Sequence, residues 1–107
     1  MSKNLYKIPL LNLGSKWSET VAIKNRLYRL HFNWNTNCKY WELDITDDNN
    51  ILIVGGIRVV TIATLTDEYK YLLDFDLYVV PITDKVEITL DNFATDFEMV
   101  VQVEEDK

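Results

Sequence analysis

The chain has 107 residues, of which 48% are apolar and 26% are charged, and its formal net charge at pH 7 is −6. This length and the even spread of apolar residues predict one folded domain, residues 1–107, and argue against disorder, while no apolar run reaches the roughly 18–20 residues that cross a bilayer. The acidic excess argues against specific nucleic-acid binding, which depends on neutralising phosphates, and the polar start of the chain lacks a signal-peptide pattern, so we expect synthesis in a cytoplasm.

The first predicted strands alternate apolar and polar side chains with a period of two. Residues 6–10 alternate around Pro9, and because proline has no N–H to give to a neighbouring strand, they predict an edge strand. Trp17–Ile23 alternates in the same way, but Glu19 interrupts its apolar face. This second segment therefore also predicts an edge strand, or one that is only partly covered.

The clearest pattern in the chain is a β-hairpin. Leu27–Trp34 places every second side chain, all of them apolar, on one face, and residues 40–45 repeat the pattern around Trp41. Between them lies Asn35-Thr36-Asn37, a short segment of turn-forming residues. The alternation predicts that Trp34 and Trp41 both lie in the core.

The middle of the chain combines short apolar runs with one ambiguous segment. Ile51–Val54 and Ile57–Val60, which are split by Gly55-Gly56, predict two strands buried on both sides or a tight buried turn. Thr61–Leu73 contains apolar residues at helical spacing and predicts one or two helical turns.

The last part of the chain predicts three more strands, at Leu77–Val80, Val86–Leu90 and Phe97–Val103. Together the segments amount to about eight strands and at most one short helix. The sequence therefore predicts an all-β, mainly antiparallel fold, a small β-sandwich or barrel.

We find no motif that predicts catalysis, a metal site or a cofactor. Asp44–Asn50 resembles a calcium loop only superficially, because Asn49 and Gly55 stand where such a loop needs glycine and glutamate, and a polar turn is the better interpretation. His31 is the only histidine and has no nucleophile motif beside it, and Cys38 is the only cysteine. We therefore expect no enzyme activity, no bound metal and no cofactor.

Basic and acidic residues separate along the chain. Through Tyr40 there are seven basic residues and one acidic residue, and from Trp41 onward there are four basic and sixteen acidic residues, which gives +6 and −12. This asymmetry predicts one basic and one acidic region on the surface, unless strands from the two parts interleave and mix the charges.

Surface aromatic and arginine side chains are the candidates for binding. Arg58, Tyr69 and Tyr71 are the predicted interface residues, because arginine and tyrosine are favoured at interface hot spots. The alternative for Tyr69 is packing within the chain, since it has helical spacing with Leu65 and Leu72. Exposed aromatics also suit sugar stacking, so a carbohydrate-binding β-sandwich module is the alternative to a protein-assembly role.

The order of several segments resembles a known family. The segments that carry the resemblance are Ile8-Pro9-Leu10, residues 28–35, residues 41–47, residues 51–60 around the glycine pair, residues 77–80 and Leu90-Asp91-Asn92-Phe93. In this order the chain resembles the small baseplate plug proteins of contractile-tailed phages, of the cyanophage baseplate plug type.

The resemblance implies a structural role without catalytic residues. It implies a β protein near the tail axis that packs against hub, tail tube and spike proteins, folds in the bacterial host cytoplasm and ends in the tail baseplate of the virion. Because the tail axis is symmetric, we expect a homo-oligomer with three-fold or six-fold copies around it.

Overall fold

A computed structural model describes residues 2–11, 14–61, 64–69, 72–85 and 87–105. This part of the chain contains seven β-strands, one 3₁₀ turn at Asp67–Tyr69 and one short helix, α1, at Phe93–Asp96. The strands are β1 (Ser2–Ile8), β2 (Lys16–Ile23), β3 (Arg26–Asn35), β4 (Tyr40–Asp47), β5 (Leu52–Arg58), β6 (Phe75–Pro81) and β7 (Phe97–Glu105). The all-β, antiparallel prediction is confirmed.

The strands form two antiparallel sheets. One sheet has three strands in the order β1-β7-β6, and the other has four in the order β2-β3-β4-β5. The chain thus starts in the three-stranded sheet, builds the four-stranded sheet as consecutive hairpins, and returns with β7 inserted between β1 and β6. The predicted hairpin is β3–β4, with Trp34 directly opposite Trp41. β1 and β2 are edge strands, as expected, but β1 lies earlier than the predicted residues 6–10 and ends at Ile8, before Pro9.

Local backbone geometry explains the tight connection between β2 and β3. Lys24 and Asn25 both have positive φ, 52° and 67°. Two successive residues of this kind form the two-residue turn whose twist matches the flanking strands, and asparagine tolerates that conformation better than most residues.

The inner faces of the two sheets pack against each other and form one core. Aromatic rings join them: the rings of Tyr28 on β3 and Phe75 on β6 lie edge to face, with centroids 5.0 Å apart. Trp41 is fully buried, but Trp34 is only half-buried against the core. Trp17, on the edge strand β2, is 5% exposed and stacks on Phe32 at 4.6 Å.

The apolar block around the glycine pair is one strand, so the prediction of two strands there is wrong. β5 runs through Gly55-Gly56, and its pairing with β4 shifts register on both sides of Ile45. Gly56 has a φ of +74°, and its N–H donates to the carboxylate of Asp44 on β4 at 2.7 Å. The glycines therefore form a bulge within a paired strand.

The predicted strand at Val86–Leu90 is also wrong. Val86 lies outside the described residues, and residues 87–92 form bends and turns. Ile88 and Leu90 still pack half-buried against the core, which explains their alternation. The neighbouring backbone groups are bonded by the Asn92 side chain rather than by a strand: the Asn92 Oδ1 accepts from Thr89 N at 2.7 Å and its Nδ2 donates to Glu87 O at 3.0 Å.

The helical prediction for the ambiguous segment is confirmed in part. The 3₁₀ turn at Asp67–Tyr69 provides a single turn, and residues 62–63 and 70–71 of that segment lie outside the described residues. No helix in the described part of the chain is long and apolar enough to span a membrane.

Candidate interaction surface

An open cleft lies at one end of the four-stranded sheet, where the β3–β4 turn, the end of β5 and the loop before α1 meet. It consists of two adjoining depressions of about 190 and 370 Å³. We call it the end cleft and define it by its main lining residues, which are Trp34, Lys39, Tyr40, Arg58, Glu87 and Ile88.

Arg58, a predicted interface residue, is exposed at the rim of the end cleft. Its guanidinium carbon lies 4.7 Å from the centre of the Tyr40 ring, a cation–π contact that limits the freedom of the arginine side chain. Partial desolvation and the neighbouring Glu42 carboxylate raise the pKa of Tyr40, so its hydroxyl stays protonated and donates to Glu42 Oε2 at 3.3 Å. The guanidinium is thus held in place over the Tyr40 ring.

A second cation at the cleft comes from the β3–β4 turn. Lys39 has a φ of 62°, and its N–H donates to Asn35 O at 2.6 Å. The Asn35 side chain also accepts from Cys38 N at 2.9 Å, and Cys38 is an exposed free thiol. These bonds fix the turn, so the exposed Lys39 side chain projects from a rigid base.

The floor of the end cleft is apolar. Trp34 packs edge to face against Trp41, with ring centroids 5.5 Å apart. The loop that carries Ile88 is fixed to the core because Trp41 Nε1 donates to Thr89 O at 3.2 Å. The cleft therefore combines cations, an apolar floor and, at Glu87, an acidic wall.

The other two predicted interface residues lie elsewhere. Tyr69 ends the 3₁₀ turn and packs half-buried against the core, which agrees with its alternative as an intrachain packing residue. Among the described residues, no hydrogen bond or ring contact joins it to Arg58. Tyr71 lies outside the described residues. Their role at an interface stays a prediction.

The opposite end of the same sheet carries a polar turn with exposed aliphatic residues. We call Asp47–Leu52 the acidic turn. The Asp47 Oδ1 accepts from Asn49 N at 2.8 Å and from Ile51 N at 2.9 Å, so this carboxylate holds the turn together. Asp48 is exposed, and Ile51 and Leu52 are 62% and 61% exposed.

This end of the sheet is not among the predicted binding candidates. Asp47–Asn50 is a turn, as predicted. The strand predicted at Ile51–Val54, however, placed Ile51 in the core, and Ile51 is exposed. The signal that could have revealed it is the position of Ile51 directly after four polar residues, where the chain is still turning and has no neighbour to cover it.

The outer face of the three-stranded sheet has a small apolar patch among polar side chains, which include Lys7, Asp76, Glu98 and Gln102. Because Leu77 and Val79 are buried, alternation directs the half-buried Tyr78 and Val80 to the outside. Val100 of β7 is directly opposite Tyr78 and shares this face. We call Tyr78, Val80 and Val100 the apolar sheet face; exposed Leu5 and the ion pair between Lys7 and Glu98, at 3.2 Å, flank it.

The outer face of the four-stranded sheet is polar and contains a hydrogen-bonded row around His31. Ser18 Oγ lies 2.6 Å from His31 Nδ1, and His31 Nε2 lies 3.0 Å from Thr46 Oγ1. Asp44 is directly opposite His31, but its Oδ1 accepts from the bulge at Gly56. The imidazole thus lies between two hydroxyls, whereas a catalytic triad needs a carboxylate on its second nitrogen.

Comparison with protein families gives one result that covers nearly the whole chain. Residues 5–104 match the family described as the cyanophage baseplate Pam3 plug gp18. The matched range includes most of β1 and β7 and all of the other strands. No curated protein matches the chain.

Proposed function

This chain belongs to the cyanophage baseplate plug family, and from that premise we propose that it packs near the axis of a phage tail, against the hub and tube proteins of the baseplate. The observation that carries the proposal is the family match over residues 5–104. Family membership implies a structural role in the tail baseplate of the virion and association with other baseplate components. Synthesis in the bacterial host cytoplasm and work as a single domain are parts of the proposal.

The edges of both sheets are poorly suited to adding a strand from a partner. β6 is covered, because Leu65 N donates to Leu77 O at 2.8 Å. β5 is bent by its bulge at Gly55-Gly56, β2 directs Glu19 inward, and β1 carries Lys7 before its terminal residue. Bulges, lysines and inward charges are the devices that keep edge strands from pairing with other chains. We therefore propose that partners bind to faces and ends.

We assign the contact with hub and tube proteins to the apolar sheet face. Tyr78, Val80 and Val100 are only half-buried within the chain, so a partner can still bury their remaining apolar area. The outer face of the other sheet, with Ser18 and His31, offers polar groups that are already hydrogen-bonded to each other. An apolar patch with a polar rim is typical of permanent protein contacts.

The proposal includes three-fold or six-fold copies around the tail axis and excludes enzyme activity and specific nucleic-acid binding. Arg58, Tyr69 and Tyr71 remain proposed interface residues. A carbohydrate-binding module is the second candidate, and Trp34 beside Asp91 at the end cleft is the observation that favours it. A glycan array tests that candidate directly.

The deciding experiment deletes this gene from the phage that carries it and restores it on a plasmid. We expect deletion to abolish complete tails and mass spectrometry to find the protein in purified tails from the restored phage. Tyr78→Lys should reduce incorporation, whereas Thr20→Lys, on the exposed outer face of the four-stranded sheet, is the matched control. Normal tails that lack the protein would overturn the baseplate role.

A further inference from the structure

We propose that a second copy of this chain inserts its acidic turn into the end cleft, so that copies join head to tail. This inference rests on the proposed function as a plug present in several copies, and it names the surfaces that join one copy to the next.

The two surfaces cannot meet within one chain. β4 begins at Tyr40, in the end cleft, and ends at Asp47, in the acidic turn. Its eight residues separate the two surfaces by about 26 Å at the rise of an extended strand. Any contact between the acidic turn and the end cleft must therefore join two molecules.

Each surface presents charges of both signs that a second copy could pair. Asp48 is exposed, and among the described residues it forms no ion pair. Lys39 and Arg58 stand at the end cleft. Among the described residues, neither has an acidic partner within ion-pair distance. The end cleft presents Glu87 and Asp91 as well, and the end of the sheet that carries the acidic turn presents exposed Arg26 and the guanidinium of Arg29, which donates to Asn50 Oδ1 at 3.1 Å. A head-to-tail contact can pair both sets of charges.

The apolar parts of the two surfaces also match. Ile51 and Leu52 are among the most exposed aliphatic side chains of the chain and lie next to Asp48. The end cleft has an apolar floor at Trp34 and Ile88 that water now contacts. Inserting the turn would cover aliphatic groups on one copy with apolar groups on the next.

A contact between two different surfaces has a consequence for assembly. Such a heterologous contact leaves one free cleft and one free turn on every growing assembly, and it ends only when a ring closes. Closed rings are what a symmetric tail axis can accommodate, and an open filament is not.

Charge reversal tests the contact. We would make Asp48→Lys and Lys39→Glu, check both by circular dichroism, and measure mass by sedimentation velocity and native mass spectrometry over a concentration series. The wild type should form species larger than a dimer, and each variant alone should associate at least about tenfold more weakly because like charges then meet. An equimolar mixture should regain association, since Asp48 again meets Lys39 and the introduced pair is complementary too.

The control is Glu68→Lys, which makes the same kind of charge change on the exposed 3₁₀ turn and should leave association unchanged. A wild type that stays monomeric, a mixture that fails to regain association, or growth that stops at dimers would each overturn the inference. Asp48→Lys placed in the phage separates this failure from that of the proposed function. Complete tails that incorporate the variant normally would overturn the head-to-tail contact and leave the baseplate role intact.

Discussion

At the scale of single residues, Trp41 is central to the core. Its side chain is 0% exposed, its ring lies edge to face with Trp17 at 5.0 Å, and its Nε1 donates to Thr89 O. Replacing it with alanine removes the apolar area, leaves a cavity and frees a carbonyl. We expect Trp41→Ala to lower the free energy of unfolding by about 3–5 kcal/mol, measured by urea unfolding.

Two neighbouring residues are the controls for this prediction. Trp34→Ala should cost clearly less than Trp41→Ala, because Trp34 is half-buried and leaves an open cleft instead of a closed cavity. Tyr40→Ala, on the outer face, should cost less again. Equal losses at positions 34 and 41 would show that the end cleft is closed in solution.

Glu19 predicts a dependence of stability on pH. It is half-buried on the inner side of β2 and accepts from Trp17 Nε1 at 3.0 Å. Burial raises the pKa of Glu19 above its ordinary value of 4.5, although the bond from Trp17 opposes this. The native state therefore holds the Glu19 proton more tightly than the unfolded state, and stability falls as pH rises from about 4.5 through the higher native pKa.

The variant Glu19→Gln isolates this effect, since glutamine keeps an acceptor for Trp17 and carries no charge. We expect it to unfold at a higher urea concentration than the wild type at about pH 7, by less than about 1 kcal/mol because Glu19 stays partly open to water, and to match the wild type near pH ~4. Exposed Glu68→Gln is the control. A Glu19→Gln protein less stable at neutral pH would contradict the prediction.

At the scale of elements, the bulge in β5 depends on Gly56. Its φ of +74° lies in the left-handed region, and an added Cβ would find no atom within 4 Å, so the cost of a side chain there is conformational only. We expect Gly56→Ala to destabilise by about 1 kcal/mol and Gly56→Asn by less, because asparagine adopts this conformation more readily. Thermal unfolding of both variants measures the difference. Equal costs would contradict the conformational explanation.

The same bulge shows why part of the fold could not be predicted. The period-two patterns of β2, β3, β4 and β7 identify those strands, because each has one buried face. A glycine pair between apolar runs fits a turn or a bulge equally well. The choice depends on Asp44, a residue of the neighbouring strand that is twelve positions away, and local sequence does not contain that information.

The loop before α1 gives the complementary case. Alternation at Ile88 and Leu90 correctly predicted two inward side chains, but inward alternation does not create a neighbouring strand. The Asn92 side chain supplies hydrogen bonds that a ladder would otherwise supply. In the end cleft, residue type alone identified Arg58 as an interface candidate. Its cation–π contact with Tyr40 could not be predicted, because that contact depends on the bulged register of β5, which the alternation of apolar residues does not reveal.

At the scale of the whole molecule, the basic and acidic parts of the chain interleave. β1, from the basic part, pairs along its whole length with β7, from the acidic part. The ion pair between Lys7 and Glu98 and the one between Lys24 and Asp74, at 3.6 Å, each join the two parts. At these contacts the two parts of the chain mix their charges, as the interleaving alternative predicts.

This mixing leads to a prediction about DNA. One row across the outer face of the four-stranded sheet carries Lys16 and Arg58, but the register places Asn33 and Glu42 between them. Glu42 thus interrupts the row, and the net charge of −6 repels phosphates over longer distances. We expect a dissociation constant weaker than about 10⁻⁴ M for duplex DNA at low salt, by fluorescence anisotropy. Glu42→Lys is the informative variant, because it replaces the acidic residue between Lys16 and Arg58 with a cation, leaves only neutral Asn33 between the cations, and should bind measurably better. Wild-type binding that is tight and falls steeply with added salt would show that Glu42 does not interrupt the row as the register implies, and that a genome could adhere to this face.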